Sequence, residues 1–120
     1  MANPFVHVEL STTDVSKAKD FYGKLFSWKL DDVPMESGTY TMIGVGEGTG
    51  GGLMKHPVPG APSSWVAYVL VDDIAAATKK AKSLGATVMK DATEVMGMGS
   101  LSIIIDPTGA VLGLWQPKAR

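Results

Sequence analysis

Two side chains that can transfer protons or bind a metal lie close together near the start of the chain. The segment Phe5-Val-His-Val-Glu-Leu10 alternates and is rich in β-formers, which predicts a strand. Successive side chains of a strand point to opposite faces, so His7 and Glu9 share one face with Phe5. An imidazole and a carboxylate on one face could supply two metal ligands, and Glu9 is the candidate general base.

Both side chains also have a purely structural explanation. His7 could be hydrogen-bonded to a neighbour in a cleft or an interface. Glu9 could form a salt bridge with Lys55 or Arg120, because a carboxylate within a strand is rarely buried without a partner. These alternatives stay open at the level of the sequence.

Other motifs that could take part in binding or catalysis give weaker evidence of function. The chain has no cysteine, which excludes disulfides, thiolate ligands and a cysteine nucleophile. His56 precedes Pro57 in a proline-rich stretch and is expected at the surface. The glycine-rich run Gly44–Gly52 lacks the Gly-Lys-Ser/Thr of a phosphate loop and predicts a hairpin turn. The Met96-Gly-Met-Gly99 segment could be a flexible lid or a plain loop.

The elements that must position these residues occur twice. The helix-start signal Asp14-Val15 recurs 59 residues later as Asp73-Ile74, and Gly52-Leu-Met54 recurs 61 residues later as Gly113-Leu-Trp115. Each half is predicted to contain a strand, a helix and three further strands. The predicted strands are 5–10, 28–33, 39–45, 51–55, 65–71, 87–91, 101–105 and 110–116, and the predicted helices are 15–25 and 74–84.

This organisation predicts an α+β fold of two tandem βαβββ modules that form a curled mixed sheet with a concave cleft. Module one is expected at residues 4–56, the connector at 57–63 and module two at 64–117, within one domain of residues 1–120. Strand alternation and the repeat place an apolar and aromatic set in the cleft, which suits a small, partly apolar or aromatic ligand. The predicted ligand-binding residues are Phe5, His7, Glu9, Met54, Tyr68 and Trp115.

Composition excludes several classes of function. A formal net charge of −1 predicts no binding of nucleic acid or anionic membrane. No apolar stretch reaches membrane-spanning length and no signal peptide is visible, so a cytoplasmic location is expected.

Three segments resemble the vicinal oxygen chelate superfamily of glyoxalases, bleomycin-resistance proteins and extradiol dioxygenases. They are 12–28 (TTDVSKAKDFYGKLFSW), 71–74 (VDDI) and 106–117 (DPTGAVLGLWQP). The ending is similar to a glyoxalase-related branch of unassigned activity. The resemblance implies paired βαβββ modules, commonly a homodimer, with a cleft on the concave side of the sheet.

The resemblance also implies four metal-ligand positions, which fall here on His7, Gly52, Val66 and Gly113. Only His7 carries a donor atom, so a full metal site and a cofactor are not expected, although a divalent metal is possible.

Three hypotheses follow. The chain could bind a small molecule without a metal. It could be a metal-dependent lyase or isomerase, similar to lactoylglutathione lyase, that uses a shifted ligand set around His7 and Glu9. It could instead serve assembly, with Tyr68 and Trp115 in the core or at a dimer contact.

Overall fold

The computed structural model of the chain describes residues 2–35 and 38–118. Within them, the order strand, helix and three strands occurs twice. The elements are β1 Phe5–Thr12, α1 Val15–Leu25, β2 Lys29–Met35, β3 Gly38–Gly44, β4 Gly51–Lys55, β5 Ser64–Leu70, α2 Ile74–Ser83, β6 Thr87–Val95, β7 Gly99–Ile105 and β8 Val111–Pro117. This confirms the predicted α+β class of two tandem βαβββ modules.

Matching aspartates begin the two helices. The Asp14 carboxylate accepts a hydrogen bond from the backbone N–H of Lys17 at 3.0 Å, and Asp73 accepts one from Ala76 at 3.0 Å. Each cap satisfies a backbone donor that has no partner within the helix. The repeat in the sequence is therefore a repeat of local structure.

The chain divides into two compact units, and the first contains residues 7–66. Its strands follow the order β2-β3-β4-β1, and β1 and β4 are parallel while the other pairs are antiparallel. Leu10, Ile43 and Leu53 are buried in its core. Partly buried apolar side chains from α1 and from the segments after α1 and β3 pack against them, namely Val15, Ala18, Tyr22, Trp28, Leu30 and Val45.

The second unit contains residues 67–118 together with residues 2–6. Its strands follow the order β5-β8-β7-β6, with β5 and β8 parallel. Its core contains Ile74, Ile104 and Leu114. A buried hydrogen bond of 2.7 Å joins Thr78 of α2 to Ser102 of β7, so the helix is fixed by polar as well as apolar contacts.

The segment proposed as a lid is a short hairpin turn between β6 and β7. Met96 and Gly97 have φ angles of +49° and +66°, and the N–H of Met98 donates to the carbonyl of Val95 at 2.9 Å. The backbone of Lys118 also donates to the Met98 carbonyl at 2.8 Å. These bonds attach the turn to the end of β6 and to the residue that follows β8. In residues 2–35 and 38–118, no helix has the length and apolar character needed to cross a membrane.

Candidate functional site

Each module has one sheet face that its own helix does not cover, and we call it the helix-free face. In residues 7–66, the core residues Leu10, Ile43 and Leu53 point to the helix. Their strand neighbours point the other way, because side chains alternate along a strand. The helix-free face of this unit carries His7, Glu9, Tyr40, Met42, Gly52 and Met54.

A hydrogen-bonded trio lies on this face. The Tyr40 hydroxyl donates to Oε2 of Glu9 at 2.9 Å. The hydroxyl oxygen of Tyr40 also lies 2.7 Å from Nε2 of His7. A phenol has one hydrogen, so an oxygen that donates to Glu9 must accept from His7. This arrangement assigns the ring proton to Nε2, which leaves Nδ1 as the basic nitrogen of the imidazole.

Burial controls the charge of His7. It lowers the pKa of His7 below the ordinary value of 6.5, and the neighbouring Glu9 carboxylate, which raises the pKa, only partly offsets this effect. His7 is therefore neutral at pH 7 and can accept a proton. Tyr40, which is only 7% exposed, holds the two other groups together.

The Tyr40 ring fits against the sheet because residue 52 has no side chain. A Cβ atom on Gly52 would overlap the Tyr40 hydroxyl and ring. Glycine makes room for an aromatic ring at two positions in the second unit as well. A Cβ on Gly113 would overlap the ring of Tyr68, and one on Gly99 would lie 2.6 Å from the indole of Trp115. Glycine within a strand commonly marks such a close approach.

These glycines decide whether the family's metal site fits. Gly52, Val66 and Gly113 offer no donor atom at the positions that the resemblance assigns to ligands. Tyrosine rings occupy the space beside both glycines. Among residues 2–35 and 38–118, no group of three or more His, Cys, Asp or Glu side chains could hold a metal ion. The residues present therefore do not fit a four-ligand divalent metal site.

A shifted ligand set around His7 and Glu9 has too few donors in residues 2–35 and 38–118, where no third His, Cys, Asp or Glu side chain joins them as a possible metal ligand. The Tyr40 hydroxyl already bonds to Nε2 of His7 and to Oε2 of Glu9. The second histidine of the chain has a structural contact in the connector, where Nδ1 of His56 accepts from the N–H of Val58 at 3.0 Å.

The predicted ligand-binding residues are distributed over both units. His7, Glu9 and Met54 lie in the first unit, and Met54 is half-buried. Phe5, Tyr68 and Trp115 lie in the second, where Phe5 is 62% exposed and Tyr68 is 3% exposed.

Tyr40 is the functional candidate that the sequence analysis missed. It bonds to Glu9, for which Lys55 or Arg120 had been considered as a partner, and Arg120 lies outside the described residues. The available signal was Gly52, a glycine inside a predicted strand, which indicates that another group approaches closely.

Comparisons with known proteins identify the family. The model of the Glyoxalase/Bleomycin resistance protein/Dioxygenase superfamily matches residues 5–114. CFP32 of Mycobacterium tuberculosis (strain CDC 1551 / Oshkosh), a candidate glyoxylase by its name, is 42% identical over 115 residues, which cover 91% of this chain and 44% of that protein. The anthracycline biosynthesis protein DnrV of Streptomyces peucetius is 27% identical over 123 residues, covering 90% of this chain and 45% of that protein. The chain thus spans less than half the length of these curated relatives.

Solved structures share the fold. The hypothetical protein BH1468 of Bacillus halodurans C-125 matches with a TM-score of 0.75 at 15% identity, covering 100% of this chain and 98% of that one. The methylmalonyl-CoA epimerase of Mycobacterium tuberculosis matches with a TM-score of 0.72 at 15% identity, covering 96% of this chain and 88% of that one. The match to the family model confirms the superfamily resemblance drawn from segments 12–28, 71–74 and 106–117, and the solved structures agree with its fold.

Proposed function

The chain belongs to the glyoxalase, bleomycin-resistance protein and dioxygenase superfamily, and we propose that it binds a small, partly apolar or aromatic molecule without the family's four-ligand metal site. One observation carries the proposal. At Gly52 and Gly113, where the resemblance implies metal ligands, tyrosine rings lie against the sheet instead. The helix-free faces thereby carry packed aromatic rings where metal-binding relatives need donor atoms.

The chemistry of these faces supports a ligand of that class. In residues 7–66 the apolar side chains of Met42 and Met54 accompany the polar trio of His7, Tyr40 and Glu9. Binding sites for small molecules are usually apolar surfaces with a few placed polar groups that fix orientation. In this arrangement Nδ1 of His7 and the carboxylate of Glu9 are hydrogen-bond acceptors that can serve that purpose.

The helix-free face of the second unit carries an aromatic side chain that a ligand can reach. Trp115 is half-buried and packs over Gly99, whereas Tyr68, which packs over Gly113, is 3% exposed.

Binding can be tested with Trp115 as a reporter. The chain, labelled with ¹⁵N in its tryptophan indoles, is titrated with a panel of uncharged fused-ring aromatic molecules. We expect a saturable shift of the Trp115 indole signal and a rise in melting temperature. A ligand at a hundredfold excess over its Kd should stabilise the native state by about 2.7 kcal/mol.

Matched variants complete this test. Trp115→Phe keeps a ring over Gly99 and should weaken binding, whereas Trp65→Leu, on the helix-covered face of the other unit, should leave the Trp115 shift unchanged. If no molecule in the panel moves the Trp115 signal or the melting temperature, the proposal is wrong.

A second candidate function is proton transfer, and the His7–Tyr40–Glu9 trio favours it. Nδ1 of neutral His7 could take a proton from a carbon next to a carbonyl. The Nε2 proton would then pass to Tyr40 while the Tyr40 proton passes to Glu9. The imidazole ring stays neutral and the Glu9 carboxylate becomes protonated. Deuterium uptake from D2O into a thioester or 2-oxo compound, lost in His7→Gln and Tyr40→Phe, would support this activity. Uptake equal to that of a protein-free solution would exclude it.

A further inference from the structure

A cavity of about 270 Å³ lies on the helix-covered face of residues 7–66, away from the trio. Its floor contains Val8, Ile43 and Val45, and its walls contain Trp28 and Trp65. Residues 49–51 close the remaining side. None of the lining residues carries a charge.

The length of α1 explains why the cavity exists. The helix has 11 residues and is about 16 Å long, which corresponds to about five residues of the underlying strand. It begins beside the end of β1 at Thr12 and therefore stops near Val8. Beyond that point Trp28 and Trp65 line the cavity over the sheet.

Glycines keep this space empty. Gly51 pairs with Val8 in the parallel β1–β4 register, and a Cβ on Gly51 would overlap the Val8 carbonyl. A Cβ on Gly50 would lie 2.9 Å from the carbonyl oxygen of Ile43. Since the backbone allows no side chain at either position, neither residue places a side chain in the hollow.

The walls have the geometry that favours a planar guest. The ring centroids of Trp28 and Trp65 are 6.4 Å apart with the planes at 77°, and Tyr22 lies 5.7 Å from the first and 5.5 Å from the second. A flat ring that stacks on one indole meets the other edge to face, and both arrangements are favourable for aromatic pairs. Trp65 is 41% exposed, which leaves part of its surface for such a contact.

We propose that this cavity is a second binding site, which takes a small, uncharged, planar aromatic molecule of one or two fused rings. The volume lies just below the range of about 300–1,000 Å³ that holds drug-sized ligands, which limits the guest to this size. A charged guest would lose its hydration without a compensating charge in the lining. The proposal is independent of binding on the helix-free faces.

The three tryptophans of the chain separate the two sites in one experiment. The ¹⁵N-indole-labelled chain is titrated with 2-naphthol at neutral pH. We expect saturable shifts of the Trp28 and Trp65 indole signals, whereas a Trp115 shift reports the helix-free face. Trp65→Leu should weaken binding about two- to twelvefold, the change that corresponds to 0.5–1.5 kcal/mol for an aromatic pair.

A second variant tests the cavity independently if Trp65→Leu fails to fold. Val45→Phe fills the cavity and should abolish the Trp28 shift, whereas Val58→Phe, at a 53% exposed position outside the lining, should not. The proposal is overturned if 2-naphthol shifts no indole signal. It is also overturned if 2-naphthol shifts only the Trp115 signal, a result that would support the proposed function alone. It is also overturned if the Trp28 and Trp65 signals change with protein concentration alone, because the exposed rings of Phe21 and Phe26 would then mark a self-association surface.

Discussion

Replacement of Gly52 by alanine tests the idea that a glycine makes room for the Tyr40 ring. The added methyl group would overlap the Tyr40 hydroxyl and ring carbons. The ring is 7% exposed and its hydroxyl is bonded to His7 and Glu9, so it cannot move aside without breaking those bonds. The backbone at residue 52 is not in the left-handed region, so alanine adds no backbone strain.

The magnitude follows from three effects. Overpacking of a filled site costs about 1–3 kcal/mol. Loss of each hydrogen bond at the hydroxyl costs about 0.5–1.5 kcal/mol. The reduced freedom of the unfolded chain offsets about 0.4–1 kcal/mol. The unfolding free energy should therefore fall by about 3 kcal/mol, a large share of the roughly 5–15 kcal/mol typical of a domain.

Urea denaturation of a double-mutant cycle measures this effect. In a Tyr40→Ala background the ring is absent, so Gly52→Ala should then cost little or nothing. Gly44→Ala serves as the matched control, since its Cβ would meet Lys29 at an ordinary 3.6 Å. The reasoning is refuted if Gly52→Ala is as stable as Gly44→Ala, or if the effects of Gly52→Ala and Tyr40→Ala are additive.

Three further predictions concern stability. The pKa of His7 is lowered by burial, so the unfolded chain binds more protons than the folded one between the folded pKa and 6.5. The unfolding free energy should fall as the pH drops below 6.5, and His7→Gln should remove that part of the slope in urea titrations. Gly23→Ala within α1 should stabilise by about 0.5–1 kcal/mol, because its Cβ would meet Leu30 at 3.7 Å; a lower urea midpoint would contradict this. Gly113→Ala should destabilise by about 1–3 kcal/mol through overlap with Tyr68, and an unchanged midpoint would show that the ring can move.

Local signals predicted most of the fold. Asp14 and Asp73 mark both helix starts, because a cap depends only on residues three positions apart. The predicted strand 87–91 was too short, since β6 continues to Val95. Register shifts between Val88 and Lys90 and between Lys90 and Thr93 break its alternation, so backbone pairing with β7 defines the strand where the side-chain pattern does not.

Less of the candidate site than of the fold could be predicted from the sequence. His7 and Glu9 were found because they are two residues apart on one strand. Tyr40 is 33 residues from His7 and 31 from Glu9, so their contacts depend on how β3, β4 and β1 pair. The register between these strands is set by tertiary structure. In the sequence it is indicated only indirectly, by the glycine at position 52.

A calorimetric metal titration tests most directly whether this chain has packed aromatic rings in place of the family's metal site. The metal-stripped protein and its His7→Ala variant are titrated with Ni²⁺, Zn²⁺, Co²⁺ and Mn²⁺. The account predicts no binding tighter than about 1 mM, or about 4 kcal/mol, in either protein. Stoichiometric micromolar binding that disappears in His7→Ala would contradict it.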